Sequence, residues 1–155
     1  PRVEAVNLNT LAEEIKLNLE LLIKDKNALV AINHLPVIMA DRTMMSQLLQ
    51  NIVGNGIKYN ENSQPTIRIK QRMAAGELEI SISDNGIGIP EHLREKAFQI
   101  FQRLPTDKTY PGSGIGLAIC KKITESMGGK IAIADTPGGG TTFRIFFPAA
   151  LVVNC

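Results

Sequence analysis

Apolar positions along the chain change their period several times, and each change predicts an element. Leu11, Ile15, Leu19 and Leu22 fall on one helical face. Thr10 and Glu13 ahead of them have the spacing of a capping box, with Asn7 a competing N-cap. Ala28 to Asn33 alternates weakly, as a short strand does, and Pro36 interrupts before Val37-Ile38-Met39. Asp41 then caps a second helix, in which Met45, Leu48, Leu49, Ile52, Val53, Gly56 and Ile57 keep the three-four spacing of a buried face. Thr66 to Arg72 and Glu77 to Ser83 alternate apolar with polar, and Ala75-Gly76 joins them as a hairpin. Pro90 opens a short helix to about Ile100, and a loop with Pro105, Pro111 and Gly112 follows. A helix from about Ile115 to Met127 stops at Gly128-Gly129. Lys130 to Ala134 and Thr142 to Phe147 read as strands joined by Pro137-Gly138-Gly139-Gly140. Strands that pair through hairpins do not make a doubly wound parallel sheet. The order predicts an α+β two-layer sandwich: a mixed, mostly antiparallel sheet with about three helices on one face.

Composition narrows the class. The 155 residues suit one domain, and 44% apolar content supplies one core. The 17 Lys and Arg are scattered, no basic run is interleaved with aromatics, and the net charge is only +2, which argues against a nucleic-acid partner. No apolar run approaches the roughly 18 residues that span a bilayer. Cys120 and Cys155 have no metal-ligand spacing and read as free thiols, with a disulfide the lesser alternative. The expected location is cytoplasmic, with no direct membrane contact in this fragment, and a membrane-anchored parent protein is compatible with that. A start at Pro1 rather than Met suggests a fragment of something longer.

Three segments carry candidate chemistry. Gln47, Asn51 and Asn55 stack on one side of the second helix, and Lys58 continues that side. Asparagine is a poor helix-interior residue, because its amide competes for backbone hydrogen bonds. A solvated polar face is the ordinary reading, and amide oxygens facing a cation and its phosphates the functional one. Asp84-Asn85-Gly86-Ile87-Gly88-Ile89-Pro90 ends a strand, and Pro90-Glu91 opens a helix, so no partner strand follows at once as in a simple hairpin. A carboxylate there suits a ligand N–H, with glycines that allow close backbone approach. Gly112-Ser113-Gly114-Ile115-Gly116-Leu117 leads into a helix and offers backbone N–H groups to phosphate. It is not a dinucleotide fingerprint, because Leu117 replaces the third glycine and loop precedes it. No Gly-Lys-Ser/Thr follows, so it is not a P-loop either. A flexible linker that caps the helix is the ordinary alternative.

Together these segments resemble the ATPase superfamily of histidine kinases, gyrase B, heat-shock chaperone ATPases and mismatch-repair ATPases, and most closely the catalytic, ATP-binding domain of sensor histidine kinases. Gln47 to Tyr59 is similar to their N box, Asp84 to Pro90 to their first glycine box, Phe98 to Leu104 to their F box, and Gly112 to Ile119 to their second glycine box. Gly139 to Pro148 looks like their closing strand. The tract from Phe101 to Lys130 is most similar to kinases of phytochrome-related light sensors.

The resemblance implies a Bergerat-type fold, with ATP and Mg2+ as ligands. Asn55 would bind the metal, with Asn51 beside it as metal and catalytic residue. Lys58 would reach the phosphates, and Tyr59 would line the adenine or ribose side. Asp84 would accept the adenine amino group, and Gly86 and Gly88 would let backbone pass under the base. Gly112, Gly114 and Gly116 would bracket the phosphates. Ile89, Ile115 and Leu117 count among the nucleotide-binding positions, as does Thr142 through water. Phe98 and Phe101 would anchor a lid of about ten residues, or pack in the core. Arg103 would stabilise the transferred phosphoryl group; its ordinary reading is a surface arginine.

Two departures bear on this. Gly56 stands where the family usually has Ala, which should loosen the helix slightly. Asn51 stands where the hydrolases carry a Glu that activates water; an amide is no general base, so weak hydrolysis is expected. Neither His34 nor His92 has the setting of a phosphoacceptor. The whole chain, 1–155, then reads as a single catalytic domain. A histidine-bearing dimerisation hairpin is expected N-terminal to it, and Leu8 to Lys24 is the first helix after the linker. The implied partners are that hairpin and a response regulator. The fragment alone is expected to be monomeric and the full-length protein a homodimer. A regulatory pseudokinase, an anti-sigma-type serine kinase on the same scaffold and a nonenzymatic interaction domain are the alternatives.

Overall fold

The computed structural model describes residues 2–99 and 116–153. Its elements are β1 (Val3–Asn7), α1 (Leu8–Asn18), α2 (Glu20–Lys26), β2 (Leu29–Ile32), β3 (Val37–Asp41), α3 (Arg42–Lys58), β4 (Thr66–Ala74) and β5 (Glu77–Asp84), then a 3-10 turn (Glu91–Leu93) and α4 (Arg94–Ala97), and last α5 (Gly116–Ser126), β6 (Lys130–Asp135), β7 (Thr141–Pro148) and a 3-10 turn (Ala149–Leu151).

The main sheet has the order β2-β4-β5-β7-β6. Only β2 and β4 run parallel; the other neighbours are antiparallel. Leu78, Ile80 and Ile82 on β5 and Phe143, Ile145 and Phe147 on β7 alternate onto one face. There they join Leu11 and Ile15 of α1, Leu48, Leu49, Ile52 and Ile57 of α3, and Cys120 and Ile123 of α5 in one buried cluster. Helices on one face of a mixed sheet are the expected two-layer sandwich.

The opposite face has no helical cover among the described residues and is held by charge. Glu79 accepts from Arg144 at 2.8 Å and Arg72 at 3.3 Å. The Arg144 hydrogen bond is the main cause holding its carboxyl below the usual range. Lys130 and Arg144 each lie 5.2 Å from the Phe146 ring centroid.

Several elements differ from the expectations. β1 was not expected at all: only its Val6 is buried, so it has no legible alternation. It pairs antiparallel with β3 as a separate ribbon. The first helix starts at Leu8, because Asn7 is its N-cap and accepts the Thr10 N–H at 3.1 Å. Thr10 and Glu13 therefore lie inside the helix and form no capping box. That helix breaks at Leu19 (φ −102°, ψ 11°), so Leu19 and Leu22 are only partly buried. The expected short helix after Pro90 is a 3-10 turn and four helical residues ending at Ala97. Asp41 caps α3 as expected, accepting the Met44 N–H at 3.0 Å. Ala75 and Gly76 both have positive φ (53° and 76°), the geometry of a two-residue hairpin turn.

Candidate functional site

α3 carries one half of the site. Its apolar face is fully buried, which turns Asn51 and Asn55 to a half-buried position and Lys58 to the surface. The Asn55 side chain makes no hydrogen bond to a described residue. The Asn51 amide is engaged: Nδ2 donates to the Gly116 carbonyl at 3.5 Å, at the start of α5, while the nearby Cys120 thiol donates to the Leu48 carbonyl at 3.7 Å. Cys120 is a free, fully buried thiol, pushed up to about 12 by desolvation. Tyr59 ends α3, and its carbonyl accepts the Ile87 N–H at 3.2 Å, which lays the first glycine box against the helix end.

β5 carries the other half. Asp84 closes the strand, and its Oδ1 accepts two backbone N–H groups, Gly86 at 2.9 Å and Thr141 at 3.0 Å. Its Oδ2 accepts none from a described residue. Burial raises the carboxyl above its usual range, and the two backbone hydrogen bonds oppose that. A Cβ at Gly56 would lie 3.2 Å from Oδ2 and 2.7 Å from Ile67 Cδ1. Gly56 thus places α3 close over the carboxylate, where an added Cβ would press on Asp84 and the Ile67 tip. A Cβ at Gly86 would run into the Tyr59 carbonyl oxygen, and Gly88 has a φ of 79°, open to glycine.

An amide network links the halves. Asn60 is buried, and its Nδ2 donates to Gly56 O at 3.1 Å and to Asn85 Oδ1 at 2.8 Å. Asn85 Oδ1 also accepts the Thr66 N–H at 2.8 Å. Sequence reasoning missed Asn60 and Thr141. Thr141 acts through its backbone, which no side-chain pattern reveals; the signal for Asn60 was an amide two positions after a helix end.

The remaining positions sort as follows. Thr142 shares a hydroxyl chain with Ser83 and Thr136, both at 2.9 Å, and strand alternation puts that chain on the sheet face away from Asp84. It is thus not brought to the carboxylate. Phe98 packs edge-on to Phe143, with centroids 6.4 Å apart, so core packing is real. Ile89 and Leu117 are partly buried against the core, and Gly116 opens α5. The Ile89 carbonyl accepts from Arg94, which also pairs with Asp135 at 2.6 Å and so ties the first glycine box to β6. His34 is exposed between β2 and β3, and His92 is exposed in a 3-10 turn. Phe101, Arg103, Gly112, Gly114, Ile115 and Cys155 lie outside the described residues.

This arrangement has relatives. Residues 40–151 match the family described as histidine kinase-, DNA gyrase B-, and HSP90-like ATPase. The chain belongs to this ATPase family. It is 40% identical over 131 residues to the phytochrome-like protein Cph1 of Synechocystis, covering 84% of this chain and 18% of that one. It is 35% identical over 155 residues to the circadian input-output histidine kinase CikA of Synechococcus elongatus, covering 99% of this chain and 20% of that one. It therefore spans about a fifth of the length of these relatives. Among solved structures, the catalytic domain of histidine kinase ThkA superposes with a TM-score of 0.82 at 31% identity, over 96% of this chain and 97% of that one. ThkA in complex with the response regulator TrrA gives 0.76 at 30%, over 95% and 42%. Full-length ShkA in complex with AMPPNP gives 0.80 at 25%, over 99% and 32%. The fold is that of a histidine kinase catalytic domain. No helix among the described residues of this catalytic domain is long and apolar enough to cross a membrane.

Proposed function

We propose that this catalytic domain binds Mg-ATP and donates the γ-phosphoryl group to a histidine on a separate dimerisation domain of a two-component sensor kinase, from which a response regulator takes it. The observation that carries the reading is the Asp84 carboxylate. One oxygen is saturated by backbone N–H groups, and the other is left to accept a ligand N–H beneath α3. An adenine amino group is such a donor. Asn55 and Lys58 follow on the same helix for the phosphate end, and Tyr59 and Ile89 line the base side.

Among the described residues no group of three or more His, Cys, Asp or Glu could hold a metal ion. The donors at this end of the site fit a Mg2+ that shares its ligands with a nucleotide: Asn55, half-buried and without a hydrogen bond to a described residue, gives a hard amide oxygen, with Asn51 beside it. The bound metal supplies charge neutralisation on the phosphates. Asn51 has no carboxylate to activate water, so the phosphoryl group is kept for the acceptor rather than lost to hydrolysis. Gly112, Gly114, Gly116, Ile115 and Leu117 line the phosphate side in this reading, and Arg103 stabilises the group in transit. Residues 1–155 act as one cytoplasmic domain, monomeric alone and joined in the parent homodimer to an N-terminal histidine hairpin.

The test is incubation of the chain with γ-labelled ATP and the parent protein's histidine hairpin. Acid-labile, base-stable label on the hairpin is expected. Acid-stable label would instead indicate a serine kinase, and binding without any label a pseudokinase.

A further inference from the structure

Asn60 lies two positions beyond α3 and is 4% exposed. Its side chain uses everything an amide offers. Nδ2 donates to the Gly56 carbonyl, a last-turn acceptor that α3 cannot satisfy itself, and to Asn85 Oδ1. Oδ1 accepts from the Asn62 backbone N–H at 3.0 Å and from Asn62 Nδ2 at 3.1 Å. A backbone carbonyl can only accept and a backbone N–H can only donate, so the amide has one orientation. Asn85 is oriented the same way: its Oδ1 takes the Thr66 N–H and its Nδ2 donates to Gln64 O at 3.2 Å. Asn62 Nδ2 closes the ring onto the Asn85 carbonyl.

This ring joins the two pieces of chain on which the site stands. On one side is the last turn of α3, with Asn55 and Lys58. On the other is the turn that follows Asp84. A ligand that touches both pieces gains from each only if their spacing is held, and a misplacement of an ångström forfeits much of that gain. We propose that Asn60 is a positioning residue that sets the spacing between the base-binding end and the phosphate-binding end of the site. This rests on the nucleotide-binding reading above.

Three ligands separate positioning from mere stability. Adenosine probes the Asp84 end, Mg-tripolyphosphate the α3 end, and Mg-AMPPNP both together. Asp84 keeps its own two backbone hydrogen bonds in Asn60→Ala, and α3 keeps its cap and core. Adenosine and Mg-tripolyphosphate, titrated by chemical-shift change, are therefore expected to shift by less than about twofold, while Mg-AMPPNP weakens roughly tenfold. Asn85→Ala cuts the same bond from the other side and should reproduce the pattern. It also serves as the test if circular dichroism shows Asn60→Ala unfolded. Unchanged Mg-AMPPNP affinity, or equal weakening of all three ligands, overturns the inference while leaving the nucleotide reading intact. A folded native chain that binds none of the three removes the nucleotide reading and the inference with it.

Discussion

Replacing Asp84 by Asn should move nucleotide affinity and fold stability in opposite directions. Asp84 Oδ1 receives the Gly86 and Thr141 N–H groups, and both donors are backbone. In Asp84→Asn the amide oxygen must stay there, so the NH2 group is forced into the place of Oδ2. It then presents a donor to a ligand that also presents a donor. Losing a hydrogen bond to a charged acceptor costs about 1.5–3 kcal/mol, and leaving a desolvated donor unpaired costs about 1–3 more. Even near the low end of that sum, about 3 kcal/mol, Mg-AMPPNP binding weakens by about 100-fold or more. The apo fold should gain, because burial is the leading cause that raises this carboxyl, which means the ionised form is disfavoured by folding. A raised acid favours the folded state most below its unfolded value of 3.8, and that contribution is lost as pH rises through the folded value. The native chain therefore loses stability across that window and Asp84→Asn does not. Calorimetric titration beside urea unfolding at several pH values measures both effects. Native-like affinity in the folded variant refutes the role given to Oδ2. A variant less stable than the native chain at pH 7 refutes the account of the carboxylate's burial.

Other outcomes follow from packing. Gly140 has a φ of 115°, and a Cβ there would run into the Asp84 carbonyl, whereas at Gly138 (φ 89°) it would meet nothing. Gly140→Ala should cost about 3 kcal/mol and lower the melting midpoint by roughly 6–12 °C, and Gly138→Ala only about 1–2 kcal/mol. Equal losses would contradict the close approach of the β6–β7 turn to Asp84. In a Cys155→Ser background, Cys120, pushed up to about 12 by burial, should resist a thiol reagent at pH 8 until denaturant is added. Rapid labelling of the folded chain would show that the α3–α5 packing opens.

Most of the architecture was legible because its hydrophobic periods are strong: α3 and β5 each bury one uninterrupted stripe. β1 was illegible because ribbon pairing, rather than burial, defines it; its exposed Val3 and lone buried Val6 carry no period. The capping choice between Asn7 and Thr10 turned on where the backbone leaves the β region, and at Asn7 it is still extended (φ −79°, ψ 108°). Asp84 was legible because a carboxylate before two glycines is unusual at a strand end. Its supports were not: Thr141 contributes a main-chain N–H, and Asn60 is an ordinary polar residue until the fold closes around it. Thr142 lies on the face away from Asp84 because adjacent strand residues point to opposite faces, a placement that the sequence alone did not reveal.

The hydrogen bond from Thr141 to Asp84 spans 57 positions of sequence. During synthesis from the N-terminus, α3 and the β4–β5 hairpin emerge with Asp84 lacking one of its two backbone donors, and the β6–β7 turn that walls it in does not yet exist. The surroundings of Asp84 are thus completed only when the closing strand pairs. A chain cut short before β7 carries nearly every recognisable sequence box and yet leaves Asp84 Oδ1 with the Gly86 N–H as its one backbone donor.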